Sequence, residues 1–178
     1  FNAVVLMSAP FPGPTTTDFM ARMKSLSADL AALDRPRKYY IVWNMEREAA
    51  PDYDNPPQGL KEFFRAYFHS KSADWPGNDP IPLKAQTAQE MAQIPTYYVM
   101  DLNKGMAETM REYDASASAA PCEWLSEEEL GLFAAEYAES GFQGALNAAY
   151  RPRQDMRNVA ELATFAGARI EVPSCFIS

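Results

Sequence analysis

Two short apolar runs near opposite ends of the chain constrain the fold more than anything between them. Val4-Val5-Leu6-Met7 is continuous, without polar alternation, and Ser8-Ala9-Pro10-Phe11-Pro12-Gly13-Pro14 breaks it at once. Such a run suits a strand covered on both faces, as in parallel sheets, and the prolines forbid continuation of the ladder. Ile170 to Ile177 reads as a second strand, with Pro173 at its start or at a bulge. A parallel pair needs a crossover of a dozen or more residues, and this chain offers about 160 between the runs. The excess predicts an inserted helical subdomain.

The intervening sequence is mostly of helical period. Phe19, Met23, Leu26, Leu30 and Leu33 share one face, with Thr17 or Asp18 as the cap and Asp34-Arg35-Pro36 as the end. A second amphipathic stretch runs from Pro36 through Tyr39, Tyr40, Val42 and Trp43 and frays at Ala50-Pro51. Gly59 to Lys71 carries an aromatic stripe of Leu60, Phe63, Phe64, Tyr67 and Phe68. Residues 72–86 read as a loop with turns. A helix is expected from Leu102 to Tyr113, and an exposed connection over 114–120. Ser126-Glu127-Glu128-Glu129 forms a capping box before Leu130, Phe133, Ala134 and Tyr137, and Gly141 ends that helix. Asp155 to Ala166 is the last helix, stopped by Gly167. No repeat of fixed period is present.

Charge and missing motifs narrow the function classes. The formal net charge is −8, and the pI is near 4.7, so no nucleic-acid partner is expected, because phosphates need a basic face. No run approaches the length of a bilayer span, and no secretory signal is legible, so a cytoplasmic location is expected. Phe1 and Ser178 both lie close to strand-like sequence, which reads as a piece of something larger. Unpaired strand edges in such a piece predict aggregation or association with complementary pieces, and leave room for a homodimer.

The single histidine, His69, sits in the aromatic stripe and reads as a surface or core-edge residue. No Gly-x-Ser-x-Gly elbow, glycine-rich phosphate loop or metal-binding spacing occurs, so no metal and no cofactor are expected. Ser8 precedes Ala-Pro and lacks a helix N-terminus to serve an oxyanion. Cys175 reads as a small buried hydrophobe. The Glu127–Glu129 run serves a helix start, and Arg151, Arg153 and Arg157 read as a solvated face. Tyrosine remains, with nine in the chain. Two phenols converging from different helices can polarise an ether or carbonyl oxygen by hydrogen bonding.

Several segments resemble α/β-hydrolases of the soluble epoxide hydrolase type. Val4-Val5-Leu6-Met7-Ser8-Ala9-Pro10-Phe11 is similar to the core strand following the nucleophile helix. Ser126 to Leu130, then Tyr137-Ala-Glu-Ser-Gly-Phe-Gln-Gly-Ala-Leu-Asn147 and Tyr150-Arg151, resembles the late cap segment. That segment reads Gly-Phe-x-Gly-x-Leu-Asn-Trp-Tyr-Arg in the family and carries one of two oxygen-polarising tyrosines. Arg37-Lys38-Tyr39-Tyr40 is similar to the early segment carrying the other, and Ala107-Glu108-Thr109 is similar to fungal members. Ala148-Ala149 stands where the family has a single Trp, and Ile41 where Gln is common.

The resemblance implies an α/β fold: a mostly helical cap subdomain inserted between two parallel core strands of an α/β-hydrolase sheet. Residues 1–14 would be core strand and connection, 15–153 the cap, and 154–178 core helix and strand. It implies Tyr40 and Tyr150 as the catalytic phenols, with Tyr39 the alternative to Tyr40. Trp43, Phe63 and Phe142, with Phe64 and Tyr67, would wall a pocket for a small apolar substrate. The nucleophilic aspartate and oxyanion loop would precede Phe1, and the acid and histidine would follow Ser178. The 178 residues alone are then expected to be inactive, the rest of the hydrolase core being their partner. An esterase, a haloalkane dehalogenase and a non-catalytic helical binding module are the alternatives.

Overall fold

The structure, a computed structural model, describes residues 2–7, 19–117 and 122–177. Ser8, the proline cluster, the caps expected at Thr17 or Asp18, and the boundary between residues 14 and 15 lie outside these. The chain divides into two compact units, residues 1–22 with 152–178, and residues 23–151.

In the first unit β1 (Val4–Met7) pairs in parallel with β4 (Ser174–Ile177), Val4 opposite Ser174 and Met7 opposite Ile177. Pro173 lies just before the strand, where its missing N–H costs nothing, and its carbonyl accepts from Val4 N at 3.0 Å. The second strand is therefore shorter than the run from Ile170 suggests. Among the described residues neither strand is covered on both faces: Val5 is 58 % exposed and Met7 69 %. Cys175, expected to be buried, is exposed for the same reason. Also in this unit, α9 (Met156–Ala163) begins at Asp155, whose carboxylate caps Arg157 N. The chain turns at Gly167, where φ is +78°.

The second unit is mainly helical. α1 (Phe19–Ala31) begins at the boundary of the units and brings Leu30 into a small cluster with Ala88, Met91 and Val99. The expected helix from Pro36 is instead three pieces. β2 (Arg37–Tyr39) pairs antiparallel with β3 (Val99–Asp101), α2 (Tyr40–Trp43) follows directly, and α3 (Ala49–Asp54) passes through Pro51. Pro51 is tolerated because it sits in the first turn, where backbone N–H groups have no intrahelical partner. Arg37, 6 % exposed, fixes this antiparallel pair: its Nη1 donates to the Val99 carbonyl at 2.9 Å and lies 3.3 Å from Asp101.

Gly59, at φ +83°, opens α4 (Leu60–His69). A loop of turns leads to α5 (Ala88–Met91), capped by Thr87. α6 (Met106–Ala117) starts four residues later than expected and runs into the segment read as an exposed connection; residues 118–120 of that segment lie outside the described ones. Its start is set by Asp52, whose Oδ2 accepts from Met106 N at 2.6 Å and Ala107 N at 3.2 Å. A Cβ at Gly105 would collide with the Asp52 carboxylate, so a larger residue there would displace this cap.

α7 (Glu127–Ser140) has the capping box between Ser126 and Glu129, α8 (Gln143–Ala149) follows, and a 3-10 turn over Arg151–Gln154 ends the series. The main core gathers Tyr53, Phe63, Phe64, Met100, Met106 and Met110 with Leu130, Phe142 and Leu146.

α4 is joined to α7 by charge as well as packing. Arg65 donates to both oxygens of Glu127, with Nη2 to Oε2 at 2.7 Å, and Lys61 lies 3.0 Å away. The Arg65 guanidinium, then Lys61, holds the Glu127 carboxyl down at about 2. A depressed carboxyl adds stability above its unfolded value, here 4.5, and loses it as pH falls through the folded value. Glu127→Gln is therefore expected to flatten the pH dependence of unfolding between about 4.5 and about 2. Denaturant midpoints across that window check it; identical slopes in both proteins would contradict it.

Candidate functional site

Tyr40 and Tyr150 come from opposite ends of the helical unit and meet. Tyr40 opens α2, where its N–H donates to the Tyr98 carbonyl at 2.9 Å. Tyr150 is the residue that ends α8. Their ring centroids are 6.2 Å apart at an interplanar angle of 84°, an edge-to-face contact. Tyr40 is also edge-on to Tyr98 at 5.3 Å and to Tyr39 at 5.2 Å. Tyr39, the alternative partner, packs instead against the cluster around Leu30 and Val99. The turn from strand to helix between the two tyrosines sends their rings to different clusters.

Three contacts hold Tyr150 where it is. Phe142 N, at the start of α8, donates to Asp54 Oδ1 at 2.8 Å. At the other end Arg151 donates to Asn147 Oδ1 at 2.7 Å and to the Glu46 carbonyl at 3.3 Å. Arg151, read from sequence as part of a solvated face, thus ties the end of α8 to the residues following α2. Gly141 turns the chain between α7 and α8 at φ +68°, and a Cβ there would lie 3.3 Å from Asp54 Oδ1. Gly141→Ala is expected to cost about 1–3 kcal/mol, from backbone strain together with displacement of Asp54. Urea unfolding measures this, and a loss under about 0.5 kcal/mol would show the turn to be unstrained.

Beside Tyr150 opens a cleft of about 230 Å³, walled by Phe63, Phe64, Tyr67, Phe68, Tyr137 and Phe142 among others. Its lining is mostly apolar, with Asn44 the amide in the wall. Asn44 Oδ1 accepts from the Tyr53 hydroxyl at 3.0 Å. Of the residues expected to line a pocket, Phe63 and Phe142 are here but deeply set, 1 % and 7 % exposed, so they form the floor. Trp43 does not line it; the Lys38 ammonium lies 3.9 Å from the centre of its ring. Tyr40 is not among the residues lining the cleft, but its ring touches that of Tyr150, which is.

Tyr67 lies in the electrostatic field of Tyr150, Tyr40 and Tyr98, and burial foremost, then these neighbours, pushes its phenol well up. Tyr53 is raised in the same direction, mainly by burial. The surroundings therefore disfavour phenolates, and protonated phenols are donors. A group of tyrosines in a low-dielectric wall can donate hydrogen bonds to an oxygen gaining negative charge.

A larger cleft of about 620 Å³ has Lys71, Trp75, Tyr97, Tyr98 and Tyr113 in its wall. Burial lowers the Lys71 amine to about 6. None of the residues singled out as catalytic or pocket-lining from the resemblance lines it, although the ring of Tyr98, which does, touches that of Tyr40.

His69, read from sequence as a surface or core-edge residue, is not at the surface. It is 1 % exposed, at the end of α4, and its ring nitrogen lies 3.7 Å from Asp74 Oδ1. With the Cys122 sulfur, these ligand-type atoms all fall within 4.8 Å of one another. Nothing in the local spacing announces the trio, because Cys122 is distant in sequence.

No protein-family model matches the chain, and no curated protein matches it. Two solved structures do. Epoxide Hydrolase A from Mycobacterium thermoresistibile has a TM-score of 0.66 at 23 % identity, over 98 % of this chain and 44 % of that one. An epoxide hydrolase from an endophytic Streptomyces has a TM-score of 0.67 at 19 % identity, over 99 % of this chain and 44 % of that one. The chain thus spans less than half the length of either. With its helical unit and small parallel sheet, the chain shares the fold of part of these two structures.

Proposed function

We propose that these 178 residues are the cap-bearing part of an α/β-hydrolase that adds water to an epoxide. The observation that carries this reading is the edge contact of Tyr40 with Tyr150 beside an aromatic cleft. Residues 15–153 are the cap, inserted between core strands β1 and β4. The exposed parallel pair supports this, since parallel strands are normally covered on both faces and paired at their edges. The remainder of the hydrolase core is the partner that covers them.

The reaction follows from what phenols can do. An aspartate outside these residues attacks an epoxide carbon; the carbon–oxygen bond breaks and an aspartyl ester forms. The Tyr40 and Tyr150 hydroxyls bind the epoxide oxygen and supply the proton that the departing alkoxide needs. Water then hydrolyses the ester, releasing a diol and the free carboxylate, and the proton set free in this step restores the phenol. The small, mostly apolar cleft favours a compact hydrophobic substituent on the epoxide.

The test is turnover by the full-length protein carrying this chain, on an apolar epoxide, an ester and a haloalkane of similar size. Diol formation with little ester or halide release is expected. Efficient ester or haloalkane hydrolysis without epoxide turnover would overturn the reading.

A further inference from the structure

We propose that His69, Asp74 and Cys122 form a binding site for one divalent transition-metal cation of the zinc type. The three side chains come from separate segments: the end of α4, the turn that follows it, and the stretch leading into α7. Imidazole, carboxylate and thiolate are the nitrogen, oxygen and sulfur donors that zinc takes, at bond lengths of about 2.0–2.3 Å. Tetrahedral bonds of that length set donor atoms about 3.3–3.8 Å apart. His69 Nε2 and Asp74 Oδ1 already stand at 3.7 Å. All three donors lie within 4.8 Å, so closure onto an ion needs a shift of about 1 Å, within reach of side-chain rotation.

Charge and surroundings favour the same ligand. A thiolate and a carboxylate together balance a dication, which removes most of the cost of holding it beside the buried imidazole. The Asp74 carboxylate is oriented from outside: Ser72 Oγ donates to Oδ1, and Glu123 N donates to Oδ2 at 3.0 Å. Such outer partners are what a metal-binding carboxylate ordinarily has. The Asp74 side chain is 22 % exposed, which gives an ion a path from solvent. Three protein donors leave one position for water. Bound there, the ion joins α4 to the entry of α7 at a point remote in sequence, acting as a staple of the helical unit.

Cobalt(II) replaces zinc in such sites and reports its donors by colour. Titrating the intact protein with Co²⁺ is expected to give one equivalent bound, with tetrahedral visible bands and a thiolate-to-cobalt charge-transfer band, displaced by Zn²⁺. Cys122→Ser should abolish the charge-transfer band. Asp74→Asn, at a partly exposed side chain, should weaken binding by at least roughly 10-fold, since even outer partners are worth 10–100-fold. Thermal unfolding gives a second readout: Zn²⁺ should raise the Tm of the wild type, and Asp74→Asn should reduce that rise. Absence of a cobalt spectrum, or binding and Tm shifts that survive both substitutions unchanged, would overturn the proposal. If Cys122→Ser does not fold, Asp74→Asn decides alone.

Discussion

Replacing Tyr40 and Tyr150 together by phenylalanine is expected to lower kcat/KM for an epoxide by about 10²–10⁴-fold, the usual range for loss of general-acid assistance. Each single substitution should cost less, because the remaining phenol still donates to the same oxygen. The rings meet edge-on at 6.2 Å, so both hydroxyls can serve one atom only if the substrate approaches near their contact. Phenylalanine keeps the ring and its packing, which separates the loss of a donor from the loss of a wall. Most of the effect should fall on kcat, since the phenols act on charge that develops during ring opening. Steady-state kinetics of the full-length protein and the three variants measure it. Undiminished turnover in the double variant would remove the tyrosines from the mechanism.

Phe63→Ala is expected to destabilise the helical unit by about 3–5 kcal/mol, a large share of a domain's usual stability. Phe63 is 1 % exposed and touches four other rings. It stacks on Tyr67 at 5.6 Å and is edge-on to Tyr53 at 5.6 Å, Phe64 at 5.7 Å and Phe142 at 6.2 Å. Truncation leaves a cavity that these aromatic neighbours are too rigid to fill. Phe63→Leu, which keeps more of the volume, should cost markedly less. Denaturant unfolding compares the two; a loss below about 1 kcal/mol for alanine would mean that the cluster collapses around the gap. A side chain so deeply set stabilises the wall of the cleft more than it contacts a substrate.

How far these features were legible depends on whether their cause is local. β1, α1 and the capping box at Ser126 follow from apolar period and from a side chain bonding its own helix start. The parallel pairing was legible from two apolar runs and the long crossover between them. The antiparallel pairing of β2 with β3 was not. Each strand has only three residues, and Arg37-Lys38-Tyr39 shows no alternation, because Arg37 is buried by bonding Val99 and Asp101 on the other strand. Tyr39, Tyr40, Val42 and Trp43 then imitate a single helical face.

The candidate site divides in the same way. The Gly-Phe-Gln-Gly segment and Tyr150 carried a recognisable pattern, whereas the groups that position Tyr150 did not. Asp54 reaches Phe142 N, and Arg151 reaches the Glu46 carbonyl, over separations of 88 and 105 residues. Contacts of that range leave no period or spacing to read. The meeting of His69, Asp74 and Cys122 was hidden for the same reason.

The central claim is that the Tyr40 and Tyr150 hydroxyls share one substrate oxygen beside the aromatic cleft. A crystal structure of the full-length protein with an unreactive amide in place of the epoxide tests it most directly. The account predicts the amide oxygen within about 2.7–3.1 Å of both phenolic oxygens. An amide held elsewhere, with either hydroxyl turned away from it, would contradict the account.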